Sequence, residues 1–495
     1  MVFISDKTPG TLKLHPADNV AVLLAETSRH GKTVPPGHKI ALRHISRGEE
    51  IIKYGWPIGK ANSPIREGEW VHTHNMATGL EEHRELAQPP ASDLPQPLWH
   101  APPRPGEFMG YPRSRGRAGI RNEIWIVNTV GCGHRIAAEI ARRGKEVCFS
   151  YGLQGPYNLS HPYGCSQTGA DLKRTRSLLA SLVHHPNAGG VLVLGLGCEN
   201  NHIDFFREAV GEHDADRVEW LNAQDVEDEV EAGLQCIERL ARRAGEDKKE
   251  PVALSELVVG LKCGGSDAFS GITANPLVGC FADGLVGAGG SVILTEVPEM
   301  FGAEAPLLAR AKNQQVFEQA RSVIEEYKDY LRGYGEAVYE NPSPGNREGG
   351  ITTLEEKSLG CILKGGQSPI VDVLHYGERV RQRGVTILEG PGNDLVSVTA
   401  LAAAGAQLVL FTTGRGTPYG GPVPVIKIAS NTPLQNKKPH WIDFNAGGLL
   451  HGEHMDEVAT FLYEKVIQTA SGEVLTRSEQ DDLREIAIFK DGATL

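Results

Sequence analysis

Short apolar runs and helical stretches alternate along most of this chain. Residues 124–127, 191–194 and 257–259 are typical of buried β-strands, and residues 226–241 are typical of a long amphipathic helix. Alternation of this kind occurs where helices cover the faces of a mostly parallel sheet. The pattern continues through strands at 292–294, 385–388 and 408–411 and a helix over 395–404. The sequence therefore predicts α/β domains with mostly parallel sheets.

The beginning of the chain has a different pattern. Residues 1–80 contain short β-like segments separated by turn residues, which predict a small all-β domain. Residues 81–112 are rich in proline, which fixes φ and cannot donate to a β-ladder, so they predict an extended linker. A second irregular stretch, at 339–350, divides the remainder into a middle α/β domain over 113–340 and a C-terminal α/β domain over 341–495.

Charge and hydropathy exclude several classes of function. The net charge of −12, without a basic stripe, argues against a nucleic-acid-binding protein. No window approaches the roughly 18 uninterrupted apolar residues of a membrane span, and the first residues lack the layout of a secretory signal. We expect a cytoplasmic protein that binds no membrane. Its eight cysteines are then reduced and available for metal binding or catalysis.

Four cysteines stand beside glycine at the ends of predicted strands or in the loops that follow them: Cys132, Cys165, Cys198 and Cys263. The Cys165 loop follows a weaker strand predicted over 147–151. Because ligands bind at the carboxyl ends of parallel strands, these thiols suggest one shared pocket. Three interpretations remain open: buried packing, ligation of a mononuclear iron, or three thiolates around an iron–sulfur cluster with one open iron. The spacing of the cysteines matches no compact cluster motif.

Histidines are concentrated in the small β-domain. His72 and His74 are two residues apart on a predicted strand, so both side chains face the same way, which suits either metal binding or an exposed polar edge. His15 and His38 are at predicted turns of the same domain. The loop edge of this domain is therefore rich in imidazole.

Polar loops follow several strands of the α/β part. Ser266 and Asp267 follow Cys263, and a glycine-rich loop containing Arg415 and Thr417 follows the strand at 408–411. One arginine among glycines and hydroxyls favours a clamp for a carboxylate, because the guanidinium binds carboxylate with two parallel hydrogen bonds. The alternative is a long surface loop. No complete phosphate-binding or dinucleotide-binding glycine motif is present, so nucleotide binding is disfavoured.

These motifs, in this order, resemble the altronate/galactarate dehydratase family of sugar-acid hydro-lyases. The resemblance covers the chain from about residue 11 to its last residue. It rests on the motifs at 15–21, 37–39, 52–59, 195–200, 263–267, 271–276, 341–346 and 412–420. The stretches at 72–75 and 161–167 are similar to the altronate branch, and the galactarate branch lacks the paired histidines, which favours a role in substrate choice for His72 and His74.

The resemblance implies an N-terminal SAF (β-clip) domain, larger α/β domains and a divalent metal, usually Fe²⁺, with Mn²⁺ as a substitute. It implies conversion of D-altronate to 2-dehydro-3-deoxy-D-gluconate and water in hexuronate breakdown. Such a reaction removes the C2 proton beside a carboxylate and expels the C3 hydroxyl, so it needs a base, an acid and stabilisation of the developing charge. We expect a homo-oligomer, with a dimer as the simplest form, and a small sugar acid as ligand.

Roles for single residues follow from the resemblance as hypotheses. Arg415 holds the substrate carboxylate, and His15 and His38 are a metal ligand and an acid/base group in either order, with Lys39 as a further catalytic group. Cys132 and Cys198 are expected on the metal side of the pocket, with Cys165 and Cys263 beside them. The remaining substrate-binding candidates are Glu199, Ser266, Asp267, Thr273 and Thr417, together with His72 and His74. If His15 takes part, the small domain must close over the sheet, and the pocket lies between domains.

Other functions remain open at this stage. A dehydratase of galactarate or another sugar acid has the same requirements. An iron–sulfur or thiol redox protein explains the cysteines but leaves Arg415 and the histidines without a role. A sugar-acid binding protein without catalysis is a third alternative.

Overall fold

The computed structural model describes residues 10–80, 95–100 and 106–495. Residues 81–94 and 101–105 of the predicted linker, and residues 1–9, lie outside the described residues. No helix in the described part of the chain is long and apolar enough to cross a membrane.

The first domain is all-β, as predicted. Its strands are β1 (Thr11–Leu12), β2 (Val20–Leu23), β3 (Thr27–Arg29), β4 (Lys32–Val34), β5 (Lys39–Ala41), β6 (Glu50–Lys53), β7 (Trp56–Ala61), β8 (Trp70–Val71) and β9 (Met76–Ala77). They pair antiparallel in the orders β1-β2-β5-β8, β6-β7-β9 and β3-β4. Val20, Ile51, Ile58 and Val71 are buried in its core.

The prediction that His72 and His74 lie on a strand is wrong. Strand β8 ends at Val71, and the chain then turns, with the backbone amides of Asn75 and Met76 both donating to the carbonyl oxygen of His72. Alternation along a strand therefore does not determine where the two imidazoles point.

A parallel four-stranded sheet forms the second domain, in the order β12-β11-β13-β14. Its strands are β11 (Glu123–Asn128), β12 (Tyr157–Leu159), β13 (Ala188–Gly195) and β14 (Val218–Asn222). Its helices are α1 (His134–Ser150), α2 (Gly169–Val183), α3 (Ile203–Val210) and α4 (Glu229–Ala244). The strand predicted over 147–151 is wrong, because these residues end α1. Cys148 is buried in helical register with Ile140, Ala141 and Gly144.

The third domain contains a seven-stranded parallel sheet in the order β18-β19-β17-β16-β20-β21-β22. Its strands are β16 (Val258–Cys263), β17 (Ser291–Leu294), β18 (Ile370–Leu374), β19 (Gly384–Leu388), β20 (Leu408–Thr413), β21 (Val425–Ala429) and β22 (Phe444–Asn445). Its helices are α5 (Ala274–Gly287), α6 (Glu304–Leu308), α7 (Gln314–Gly333), α8 (Pro344–Glu348), α9 (Leu354–Ile362), α10 (Asp394–Ala403), α11 (Thr432–Lys437), α12 (Met455–Ala470) and α13 (Arg477–Gln480). An antiparallel pair, β10 (Glu107–Gly110) with β15 (Glu250–Ala253), joins residues from before and after the second domain.

The predicted division at residue 340 needs correction. Strands β16 and β17 precede that residue, yet they hydrogen-bond to β20 and β19, which follow it. One sheet therefore spans the boundary, and the change of domain falls near residue 250 instead. The irregular stretch at 339–350 contains α8 and packs on the loop after β16, where the side chain of Asn346 donates to the carbonyl oxygen of Ser266 at 2.7 Å.

The order of strands creates a switch point between β16 and β20. From β16 the chain passes to β17 on one side, builds that half of the sheet, and then returns to β20 on the other side. The connections leave in opposite directions at this place, so a crevice opens outside the carboxyl ends of the two strands. Ligands of open α/β sheets bind in such crevices.

Candidate active site

The loops that follow β16 and β20 form the two walls of the switch-point crevice. The amide of Gly264 donates to the carbonyl oxygen of Thr412 at 3.0 Å, and the amides of Gly414 and Arg415 donate to Gly265 at 3.1 and 3.0 Å. Gly265 has a φ of +60°, which favours glycine. These bonds place Arg415 beside the first residues after β16.

Arg415 stands at the mouth of the crevice. Its side chain is 50% exposed, and its Nη2 lies 3.3 Å from Oε2 of Glu348, whose side chain is 71% exposed. An exposed ion pair contributes little stability, so a ligand carboxylate can replace Glu348 at low cost. The guanidinium fork then provides two parallel hydrogen bonds to that carboxylate.

Asp267 ties the loops of the crevice together. Its Oδ1 accepts hydrogen bonds from Ser270 and from the hydroxyl of Ser430, and its Oδ2 accepts one from Asn431, all at 2.8–3.0 Å. A Cβ added to Gly414 would lie 2.2 Å from the carboxyl carbon of Asp267, so the loop after β20 passes directly over it. Its oxygens are occupied by the protein, which makes Asp267 an organiser of the site. Burial raises the pKa of this carboxyl.

The β-domain covers this crevice through His38. The Nε1 of Trp70 donates to Nδ1 of His38 at 3.2 Å, and Nε2 of His38 lies 3.2 Å from the carbonyl oxygen of Glu348. Because Nδ1 accepts, Nε2 carries the proton and donates to Glu348. Burial lowers the pKa of His38. The structure thus brings His38 and Arg415 to one residue, Glu348, but leaves no ring nitrogen of His38 free for a metal ion.

His72 and His74 pack around the same indole. The ring of His72 stacks on Trp70 at 5.5 Å and lies 5.0 Å from the ring of His38, while the more exposed His74 meets Trp70 edge-on at 5.4 Å. Burial, helped by the ammonium of Lys39, lowers the pKa of His72 to about 4, so it is neutral at pH 7. Its Nδ1 faces the hydroxyl of Thr352 at 3.4 Å, which leaves Nε2 for a ligand.

Lys39 belongs to a buried clasp between domains. Its Nζ donates to Glu356, to the hydroxyl of Thr352 and to the carbonyl oxygen of Gly350, at 2.7–3.0 Å. Burial lowers the pKa of Lys39 to about 8, against the opposing effect of Glu356. All three protons of the ammonium are nevertheless used. Lys53 binds the other oxygen of Glu356 at 2.9 Å. Lys39 therefore holds the β-domain on α9, a role that the motif alone did not indicate.

Beneath the crevice lies a group of buried ionisable side chains, here called the buried charge cluster: Cys263, Lys262, Glu296, Glu299, Lys357, Cys361 and Lys364. Glu296 pairs with Lys262 and with Lys364, and Glu299 pairs with Lys357 at 2.8 Å. The Sγ of Cys263 lies 2.8 Å from the hydroxyl of Ser266. A hydrogen bond from Cys361, supported by Lys364, lowers the pKa of Cys263 to about 7.

Sequence patterns missed most of this cluster. Cys263, Glu296 and Glu299 follow predicted strands, and Lys262 interrupts an apolar strand, which is a further signal in the sequence. Lys357 and Lys364, on α9 and in the turn after it, look like ordinary solvated lysines until the fold buries them. Their role is to balance the carboxylates and to favour the thiolate of Cys263.

The four predicted cysteines do not share a pocket. Cys263 is buried in the third domain, whereas Cys132, Cys165 and Cys198 are exposed at the sheet of the second domain. Glu199 also lies there, where its carboxylate accepts from the amides of Leu196 and Gly197 and from the hydroxyl of Thr129. It shapes the loop that carries Cys198 and is not at the crevice.

His15 and Thr273 face a different space. Both line a cavity of about 740 Å³ between the β-domain, α5, α9 and α12, together with Tyr54 and many apolar side chains. The Nδ1 of His15 accepts from the amide of Ala17 at 3.1 Å. Thr273 donates to the carbonyl oxygen of Ser430 at 2.7 Å, which links the wall of this cavity to Asp267. The lining also includes Arg310, Gln367, Glu453 and His454, so it is apolar only in part.

Ser266 and Thr417 are the remaining predicted residues, and both lie at the crevice. Ser266 contacts Cys263 as described, and Thr417 lies two residues past Arg415, where its hydroxyl accepts from the amide of Tyr419 at 3.3 Å. Iron has no ready three-ligand set: among the described residues, no three His, Cys, Asp or Glu side chains are arranged to hold one metal ion.

Comparison with known proteins places these observations in a family. Three family models match: altronate/galactarate dehydratase SAF domain at residues 9–79, D-galactarate dehydratase/altronate hydrolase second domain at 110–245, and D-galactarate/altronate dehydratase C-terminal at 254–494. The gap between the last two coincides with the change of sheet near residue 250.

Curated relatives match over almost their full length. Altronate dehydratase of Escherichia coli (strain K12) is 48% identical over 98% of this chain and 99% of its own. Altronate dehydratase of Bacillus subtilis (strain 168) is 47% identical over the same shares. Galactarate dehydratase (L-threo-forming) of Escherichia coli (strain K12) is 36% identical over 98% of each chain.

Proposed function

The chain belongs to the altronate/galactarate dehydratase family, and from this premise we propose that it is a hydro-lyase that converts D-altronate to 2-dehydro-3-deoxy-D-gluconate and water. The observation that carries the proposal is the switch-point crevice, where an exposed arginine and an imidazole of the covering domain both contact Glu348. The names of the two relatives at 47–48% identity favour altronate over galactarate, since the galactarate relative is 36% identical.

Arg415 binds the carboxylate of the sugar acid. Loss of the C2 proton adds negative charge to a group that is already an anion, so a fixed cation at the carboxylate stabilises the developing enediolate. The guanidinium displaces Glu348, an exchange that the exposure of both side chains allows. The C3 hydroxyl takes up a proton and leaves as water, and the resulting enol tautomerises to the 2-keto acid.

Proton transfer falls to the imidazole face of the β-domain. His72 is neutral at pH 7 and keeps Nε2 available, so it is the better candidate for contact with substrate. His38 has both nitrogens engaged and acts as a positioning residue that joins the β-domain to Glu348. Cys263 contacts Ser266 from beneath the crevice, and its pKa of about 7 determines the charge at the base of the crevice.

A turnover assay tests the proposal. Anaerobic protein is mixed with D-altronate, with and without Fe²⁺, and formation of 2-keto-3-deoxy acid is followed. Arg415→Gln should lower kcat/KM by roughly 10²-fold or more, as loss of one charge-stabilising donor does. Arg142→Gln, which removes another exposed, ion-paired arginine on α1, is the matched control and should leave turnover unchanged.

The outcomes separate the parts of the proposal. Product from galactarate but not from altronate would reassign the substrate. Full activity in Arg415→Gln would remove the carboxylate clamp while leaving the reaction intact. No keto acid from any aldonate or aldarate would overturn the function itself.

Cofactor, compartment and assembly are further parts of the proposal. A need for Fe²⁺, with Mn²⁺ as a substitute, rests on the family resemblance alone. A reducing compartment such as the cytoplasm is supported by eight free cysteines. A homodimer is expected, and light scattering of the purified protein in solution measures it.

A further inference from the structure

Three cysteine loops come together at one edge of the second domain. Strands β12, β11 and β13 are neighbours in the sheet and run parallel, so their carboxyl ends lie side by side. The loops that follow them carry Cys165, Cys132 and Cys198, in that order across the sheet. Residues far apart in the chain are thereby brought to one edge.

A glycine precedes each of these cysteines, and two of them, Gly131 and Gly164, allow the loops to press against each other. A Cβ on Gly164 would lie 2.1 Å from the carbonyl oxygen of Thr129, in the loop of Cys132. A Cβ on Gly131 would lie 2.8 Å from the carbonyl oxygen of His161, in the loop of Cys165. Gly164 and Gly197 also have positive φ values, +99° and +125°. Packing this close excludes any larger residue at Gly131 and Gly164.

Hydrogen bonds join the same three loops in pairs. The amide of Gly131 donates to the carbonyl oxygen of Tyr163 at 2.7 Å, which links the loops of Cys132 and Cys165. The amide of Ser166 donates to the side chain of Asn200 at 2.7 Å, which links those of Cys165 and Cys198. The side chain of Asn201 donates to Thr129 at 3.1 Å, which closes the triangle. Each cysteine is adjacent to a residue that makes such a contact or two positions from it.

The three thiols differ from the other cysteines of the chain. Cys132, Cys165 and Cys198 are exposed, whereas the remaining five are buried. The side-chain amide of Gln224 donates to Sγ of Cys198 at 3.6 Å. Buried polar atoms without a partner lie in or beside these loops, namely Oδ1 of Asn128 and Nε2 of Gln167. Accessible sulfurs among hydrogen-bond donors are typical of a ligand site for a soft metal.

We propose that Cys132, Cys165 and Cys198 together bind one iron–sulfur cluster, with three thiolates on three irons and a further iron left without a cysteine. Among the described residues no three His, Cys, Asp or Glu side chains are arranged to hold a single ion, whereas the ligands of a cluster bind separate irons. The site lies on a different sheet from Arg415 and does not depend on the proposed dehydratase activity.

Anaerobic reconstitution with Fe²⁺ and sulfide tests the proposal on the full chain. The wild-type protein should acquire broad visible absorption and bind iron and acid-labile sulfide in equal amounts. Single Cys→Ser variants at 132, 165 and 198 should lose most of the bound sulfide, and the triple variant all of it. Cys236→Ala, which removes a buried cysteine on α4, is the matched control and should take up as much as the wild type.

Several results would overturn the cluster. They are iron bound without sulfide, zinc or iron at one ion per chain, and sulfide retained by the triple variant. Circular dichroism of each variant before reconstitution separates loss of ligand from loss of fold. Because turnover of altronate is measured separately, a protein without a cluster that still dehydrates altronate would refute this inference and leave the proposed function standing.

Discussion

Replacing Glu356 with glutamine tests how the β-domain is held over the crevice. The carboxylate of Glu356 is buried, and its oxygens accept from Lys39 and Lys53 at 2.8 and 2.9 Å. Glutamine keeps the size of the side chain but removes the charge that both ammonium groups share. The variant therefore leaves two buried cations without an anion.

The size of the effect follows from the pKa. Burial alone would raise the pKa of Glu356, but the two ammonium groups lower it from 4.5 to about 2. That difference corresponds to about 3 kcal/mol of stability at neutral pH, and loss of one partner from a buried pair costs about 3–5 kcal/mol. Lys39 has a pKa of about 8 and can release its proton in the variant. We therefore expect a loss of stability at the lower end of this range.

Urea unfolding followed by far-UV circular dichroism measures the loss, and limited proteolysis reports release of the β-domain. Glu139→Gln, which breaks the exposed pair with Arg142, is the control and should change stability by less than about 0.5 kcal/mol. Since the pKa of Glu356 is lower in the folded protein, its stabilisation is complete above about pH 4.5 and is lost as the pH falls towards 2. The gap between the wild type and Glu356→Gln should therefore close in acid. A variant that unfolds at the wild-type urea concentration, or a gap that stays constant down to pH 2, would refute this account of the clasp.

Three further predictions concern the site and the cysteine loops. Trp70→Phe removes the N–H that fixes the tautomer of His38. Per folded molecule, as measured by circular dichroism, kcat should fall more than KM rises, whereas a loss of packing alone would leave both constants per folded molecule unchanged. Cys263→Ser should remove a step near pH 7 from the pH profile of kcat/KM, because the thiolate of the wild type forms as the pH rises through about 7. An unchanged profile would show that ionisation of this thiol does not affect turnover. Gly164→Ala forces a Cβ against Thr129 at a φ of +99°, so about 1–3 kcal/mol of stability and most of the reconstituted cluster should be lost, and thermal unfolding with sulfide analysis would measure both.

The local pattern of the sequence was sufficient to predict the fold class of each domain in this chain. Strand and helix periodicity predicted the β-domain and the α/β sheets, and the polar loop with Arg415 was predicted from its position after a strand. Two errors came from short segments. Residues 147–151 have apolar side chains that suit a strand or the end of a helix equally well, and the turn after Val71 is not encoded by glycine or proline.

Sequence patterns could not identify residues that act through partners distant in the chain. Lys39, Lys53 and Glu356 meet only because the β-domain packs on α9, about three hundred residues further along the chain. Lys357 and Lys364 acquire their role from burial, which a single sequence does not display.

Local sequence is sufficient to predict most of the strands and helices, and glycine, cysteine and arginine follow the ends of those strands. The positions of strands and helices depend on residues a few positions away, because these residues set the backbone conformation and the face of each element that is buried. Which strand ends are neighbours depends instead on the complete fold. Strand order put Cys132, Cys165 and Cys198 on one sheet and Cys263 on another, and packing of the β-domain brought His38 to Glu348, the ion-pair partner of Arg415. Strand order is set by hydrogen bonding and packing between segments that are distant in sequence, and that information is carried by no single motif.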